Sequence, residues 1–425
     1  MIILRQFENK LFLLLFISII ICIFETSIAS GNQPFIDPAE IKPDAAIALE
    51  TAPFPLMAKT EKLHRNTIGC VLPLSGKHAA LGQKALDAIM LSAGIMNRKN
   101  NDVWGIIVED SQGLPDKTKQ AVANLANIKN VMAIIAVDTK ENALETATEA
   151  NKWKIPIILI TSKEGVTSAG EFVFQHFLTH SQEIKTLVEY ALNHLNCAIF
   201  SVLYPQDEYG EEMLKIFSKE VKLIGGKVDK AISYSINQVD FAGEISKLTG
   251  IVVRYPSLTS QNDKRDVVPV EFEALFIPDS SLRVKMLTSQ LDFYNVKGFV
   301  FLGTSLWNDP HLLKNVSENL DKAFFVDIFP KDSSYPENHK FVDAYVAAYK
   351  REPENIDALA FDTAGMIFSI LSSENIKTRR DLATGLKEIV NYNGATGSIY
   401  FDSDRISLKT PFVFRIKNGK FQPIR

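Results

Sequence analysis

From Asn66 onward the chain alternates short runs rich in Val and Ile with helix-length amphipathic stretches, and it does so twice in series. Runs at 68–72, 103–108, 131–136 and 155–160 read as strands, separated by helices at 81–96, 116–126 and 141–152. Nearly continuous apolar strands are expected where helices cover both faces of a parallel sheet. A second series follows. Its helices are predicted at 184–194, 211–220, 241–249 and 281–291, and its strands at 198–204, 227–234, 273–277, 299–302 and 323–328. Three helices (337–349, 355–371, 380–389) and a tail of antiparallel strands (397–401, 412–423) close the chain, with Asn418-Gly419 as the hairpin turn. Alternation of this kind predicts an α/β protein of two Rossmann-like lobes with parallel sheets. The polar stretch Ser257–Asp266 reads as an exposed loop.

The first thirty residues differ. Arg5 and Lys10 precede an apolar run of 14 residues, Leu11–Phe24, and Ser27-Ile28-Ala29 follows. A membrane span needs about 20 residues, so the run suits a signal peptide at 1–30 better than a transmembrane helix. An uncleaved membrane anchor is the alternative. Ile21 before Cys22 argues against a lipid anchor. Residues 31–65 hold five prolines and no sustained periodicity, and read as a linker. The remaining cysteines, Cys70 and Cys197, sit in strand runs of different halves and read as two buried thiols. A formal net charge of −4 gives no general pull toward nucleic acid.

Particular motifs carry a family likeness. Val71-Leu72-Pro73-Leu74-Ser75-Gly76 followed by Leu81-Gly82-Gln83 resembles the opening of the branched-chain amino-acid binding proteins of transport systems. Val131–Ala136, Ala147–Asn151 and Ile155–Ile158 are similar to that family's third strand, helix and fourth strand, and Leu203–Gly210 to its second-lobe loop. A narrower likeness, on Ala274–Ser280 and Gly303–Pro310, is to the penicillin-binding-protein activators, although residues 31–64 are far too short for their helical domain. The likeness implies the type I periplasmic-binding-protein fold: two lobes joined by a three-crossover hinge near residues 176, 330 and 394. Lobe 1 would then comprise 66–176 and 331–394, and lobe 2 would comprise 177–330 and 395–425. Such lobes close on a ligand.

Ligands of open α/β sheets sit outside the carboxyl ends of the strands. The candidate cleft residues are therefore Ser75; Asp138, Thr139 and Lys140; Thr161 and Ser162; Tyr204, Asp207 and Tyr209; and Trp307 and Asp309. In the amino-acid-binding relatives the third-strand loop is small and cradles the ligand carboxylate at a helix N-terminus. Here it carries Asp138, which repels a carboxylate, and Lys140, which attracts one. Three readings stay open: a different ligand, a cleft filled by its own side chains, or an amino acid bound in a modified way. Ser75 and Thr161 equally suit ligand contact or helix capping. Trp307 suits a stacking platform, a partner anchor or the core of lobe 2. Tyr204, Asp207 and Tyr209 suit ligand contact or a capped turn.

Catalytic constellations are missing from the sequence. Gly303–Trp307 lacks the final glycine of a nucleophile elbow, and Gly76 to Lys84 misses Walker A spacing. His176 and His180 stand four apart without a nearby acid, a poor metal pair. The expectation is a non-enzymatic, cofactor-free, exported protein of the periplasm. It binds a small molecule, feeding a transporter or sensor, or regulates peptidoglycan synthesis through a synthase partner.

Overall fold

The computed structural model describes residues 63–95, 104–252, 266–314, 318–331, 333 and 335–424. The expected signal segment, the expected linker up to residue 62 and the expected loop at 257–265 lie outside the described residues.

The first half builds one all-parallel sheet. Its strands are β1 (Thr67–Leu72), β2 (Gly105–Asp110), β3 (Ile134–Val137), β4 (Ile157–Ile160) and β5 (Val173–Gln175), in the order β2-β1-β3-β4-β5. Every residue of β3 and β4 is buried, which is why these runs show no alternation. Helices α1 (Ala79–Ser92), α2 (Pro115–Ala123) and α3 (Ala143–Lys152) connect the strands. The expected linker ends slightly early: His64 already pairs with Val131, so residues 63–65 join this lobe.

The second half runs α4 (His180–Leu195), β6 (Ile199–Pro205), α5 (Glu208–Leu223), β7 (Lys227–Tyr234), α6 (Ala242–Thr249), β8 (Ala274–Phe276), α7 (Ser281–Phe293), β9 (Val300–Gly303) and β10 (Ala323–Asp327). The chain returns to the first lobe with α8 (Pro336–Tyr349), α9 (Asn355–Leu371) and α10 (Arg379–Lys387), of which α8 and α9 pack on α1. It ends in β11 (Tyr392–Gly394), β12 (Gly397–Phe401), β13 (Ser407–Leu408), β14 (Phe412–Lys417) and β15 (Lys420–Pro423). The second sheet has the order β15-β14-β10-β9-β8-β6-β7, parallel from β10 to β7 and antiparallel at the β14–β15 hairpin. Asn418 and Gly419 both take positive φ at that turn, as a two-residue hairpin demands.

Helix starts follow local chemistry. Thr179 and Gln182 form a capping box on α4, and Asp207 accepts from the Gly210 amide at 2.8 Å to cap α5. Both helices therefore begin several residues before their apolar stripe does.

One boundary differs from expectation. Residues 395–408 were expected in the second lobe, but β11, β12 and β13 form their own small antiparallel sheet against the first. Gln175 bridges Ile406, and the Arg405 guanidinium donates to the carbonyls of Val173 and Thr167 at 3.1 and 2.8 Å. A polar-flanked tail read in isolation does not reveal which sheet it serves. The chain thus passes between the two sheets three times, after β5, after β10 and before β14.

Both lobes use one device to seat the helix after their first strand. The Pro73 carbonyl lies over Gly82 of α1, and the Pro205 carbonyl over Gly210 of α5. A Cβ at either glycine would stand 2.2 or 2.0 Å from that oxygen. Cys70 and Cys197 are free, buried thiols in separate lobes, as their strand setting predicted.

Candidate functional site

Each sheet reverses its strand order beside its first strand, between β1 and β3 in one lobe and between β6 and β8 in the other. These are the positions where open α/β sheets hold ligands. There the loop after β3 meets α5, and the loop after β4 meets the start of α4. Lys140, after β3, donates to Glu212 of α5 at 3.0 Å, and His180 at the start of α4 is 3.2 Å from the other Glu212 oxygen. Ser181 of α4 donates to Glu164, after β4, at 3.1 Å. Burial works against ionisation of Glu212, but Lys140 and His180 outweigh it and hold the carboxyl below its ordinary value. Neither Glu212 nor His180 is among the cleft residues that the sequence suggests. The only sequence signal for Glu212 was its place one turn beyond the Asp207 cap.

The first-lobe candidates are largely engaged with their own loops. Ser75 is exposed and donates to Asp110 at 2.6 Å, while the amides of Leu74 and Gln112 donate to the same carboxylate at 2.9 and 2.8 Å. It does not cap α1, whose N-cap is His78. Asp138 accepts from the Thr139 amide at 2.9 Å and from the Thr146 hydroxyl. Its carboxylate is thus engaged with its own loop and with a side chain of α3. Burial raises its pKa despite these bonds. Thr139 sits beside it, half-buried, leaving Lys140 as the cation presented across the cleft. Thr161 is buried and accepts from the Lys163 amide at 3.3 Å in a local turn; Ser162 beside it is half-buried.

In the second lobe, two aromatic candidates belong to packing. Trp307 is fully buried, and its indole N–H donates to the Ile277 carbonyl at 3.2 Å. The ring lies over Gly303, where a Cβ would stand 2.1 Å away. Of the roles open to Trp307, the structure gives it the core of lobe 2, not a stacking platform or partner anchor. Tyr204 is likewise a core residue. Tyr209 faces the cleft side, its hydroxyl donating to Thr304 at 3.2 Å and its ring edge-on to His180 with centroids 5.5 Å apart. Asp207 caps α5. Asp309 caps a short 3-10 turn by accepting from the His311 amide at 2.9 Å and also accepts from Ser281.

Behind these loops lies a buried polar cluster that sequence reasoning missed. Glu183 accepts from the Ser305 amide, and burial pushes its carboxyl up to about 8. Asp327, His176, Lys409 and Asp362 are buried nearby, at or against the crossings.

Two sheets facing across three crossings, with the order reversed at the facing ends, are the fold of the type I periplasmic binding proteins. Residues 66–253 match the family model described as periplasmic binding protein. A putative branched-chain amino acid ABC transporter protein from Rhodospirillum rubrum superposes with a TM-score of 0.74 at 18% identity, covering 85% of this chain and 100% of that one. The branched-chain amino acid substrate-binding protein of Streptococcus pneumoniae, solved with isoleucine, gives 0.62 at 19% identity, covering 85% and 98%. A solute-binding protein of Rhodopseudomonas palustris, solved with 3,4-dihydroxybenzoic acid, gives 0.63 at 17%, covering 84% and 94%. No curated protein matches the chain at a significant level.

Proposed function

We propose that this protein is an exported, non-enzymatic solute receptor of the periplasmic-binding-protein kind, which closes on a small carboxylate-bearing molecule and presents it to a membrane transporter. The observation that carries this reading is the Lys140–Glu212 pair, which links the loop after β3 to the opposite lobe at the two switch points. A ligand carboxylate entering the cleft would exchange with Glu212 for Lys140, and charge-assisted bonds of this type are the strong ones. Isoleucine and 3,4-dihydroxybenzoic acid, the ligands of two structural neighbours, both carry a carboxyl group. Lys140 already pairs with a carboxylate across the cleft, so the ligand carboxylate is expected there.

The signal segment and the family match both support an extracytoplasmic location. Among the described residues, no helix is long and apolar enough to cross a membrane. Nothing in the comparisons supports the reading as a regulator of peptidoglycan synthesis.

A thermal-shift panel of amino acids, aliphatic acids and aromatic acids tests the proposal. A ligand at 100 times its dissociation constant stabilises the fold by roughly 2.7 kcal/mol. The expected result is a rise in melting temperature for one class of acids that Lys140→Ala diminishes. A rise caused only by uncharged or cationic solutes would overturn the assignment of the ligand class.

A further inference from the structure

Each of the three crossings contributes one buried ionisable side chain to a single cluster. His176 opens the first, Asp327 leads into the second, and Lys409 opens the third. Lys409 Nζ lies 2.8 Å from His176 Nε2 and donates to the Thr396 hydroxyl at 3.1 Å. Thr396 in turn donates to Asp362 of α9 at 2.6 Å. Thr363 donates to the Leu359 carbonyl, so its oxygen accepts from His176 Nδ1 at 2.8 Å. The imidazole is therefore a neutral Nδ1–H tautomer whose Nε2 accepts from the lysine. Burial, reinforced by Lys409, depresses the His176 pKa well below its ordinary value.

Asp327 is the member that spans the lobes. Its Oδ1 accepts from Asn355, the first residue of α9 in lobe 1, at 2.7 Å, and from the Ile328 amide at 2.7 Å. Its Oδ2 accepts from Asn308 of lobe 2 at 2.8 Å. The titratable groups set against it are Lys409 from the third crossing and Glu183 from α4, with Asp362 and His176 beyond the lysine. All three hydrogen-bond partners are donors, so the shell suits an ionised carboxylate and has no acceptor for a carboxylic-acid proton.

We infer that the hinge is proton-linked: ionised Asp327 ties the lobes in the arrangement seen here through Asn355, and protonating it releases that tie. A proton on Oδ1 would oppose the N–H donors of Asn355 and Ile328, and one on Oδ2 would oppose that of Asn308; in either case the Asn355 bond loses the charge assistance of an ionised acceptor. Burial raises the Asp327 carboxyl to about 6, against the pull of Asn355, Asn308 and Lys409, so release falls in the mildly acidic range. The ligand plays no part in this device, which stands or falls separately from the receptor reading.

The test uses ligand-free protein carrying nitroxide labels at Lys129→Cys and Lys222→Cys, one exposed position on each lobe. Electron-resonance distances are recorded from pH 5 to pH 8. The expected result is a shifted and broader inter-lobe distribution on acidification, with a midpoint near pH 6. Asp327→Asn should show the acidic distribution at every pH, and Asn355→Ala should show it already at pH 7.5. A wild-type distribution unchanged across this range would overturn the inference, and so would a transition persisting in Asp327→Asn. Should Asp327→Asn fail to fold, the wild-type titration and Asn355→Ala decide.

Discussion

Glu183 shows how strongly one buried residue can set the behaviour of this chain. It is 2% exposed, and burial lifts its carboxyl to about 8. Between its unfolded pKa near 4.3 and that value, the native state holds a proton that the unfolded state has released. Stability therefore falls as pH rises through this window. Glu183→Gln, neutral at every pH, should remove that slope, amounting to a difference on the order of 4 kcal/mol between pH 5 and pH 8 in urea unfolding. An unchanged slope would place the proton elsewhere. Trp307→Ala should cost about 3–5 kcal/mol, since it empties a fully buried site, without affecting ligand selectivity. Some of these residues left a trace in the sequence. Asp327 closes an otherwise apolar strand, and Asp362 interrupts the apolar helix Ala358–Phe368. A charge in such a run announces a buried partner. Its partner was not legible, because Lys409 and Asn355 reach these acids only after the lobes assemble.

At the scale of elements, strand identity was legible because burial on both faces forces continuous apolar runs. Helix starts were not, because α4 and α5 begin at polar caps upstream of their apolar stripes. The small sheet of β11 to β13 was assigned to the wrong lobe, its attachment resting on Arg405 and Gln175 rather than on any local pattern. The opening motifs of both lobes, by contrast, have a plain physical content. Gly82 and Gly210 allow a helix to rest on the carbonyl of the proline that ends or follows the preceding strand. Gly82→Ala and Gly210→Ala should each destabilise by about 1–3 kcal/mol, from overpacking against backbone. Gly243→Ala is the control. It sits exposed on α6 with nothing within 4 Å of a new Cβ, and should stabilise by about 0.5–1 kcal/mol through helix propensity. Equal effects at all three positions, read as shifts in the urea midpoint, would mean that close approach is not why the glycines are there.

For the whole molecule, the fold follows from one parallel and one mostly parallel sheet whose switch points face each other across three crossings. The cleft between them is charged, and one ion pair links its walls. Lys140 and Glu212 are both about one-third exposed, so the pair itself adds at most about 1 kcal/mol to stability. Its weight is expected in binding. Lys140→Ala should leave the melting temperature nearly unchanged and weaken an acid ligand by about tenfold to a hundredfold. The measurement that bears most directly on the receptor reading is calorimetric titration of the purified protein with the acid from the thermal-shift panel, paired with small-angle scattering of the same samples. The expected result is saturable binding of one molecule per chain, a smaller radius of gyration in the bound state, and a dissociation constant about tenfold to a hundredfold higher with Lys140→Ala. Folded protein that binds no acid and keeps one radius of gyration throughout would contradict it.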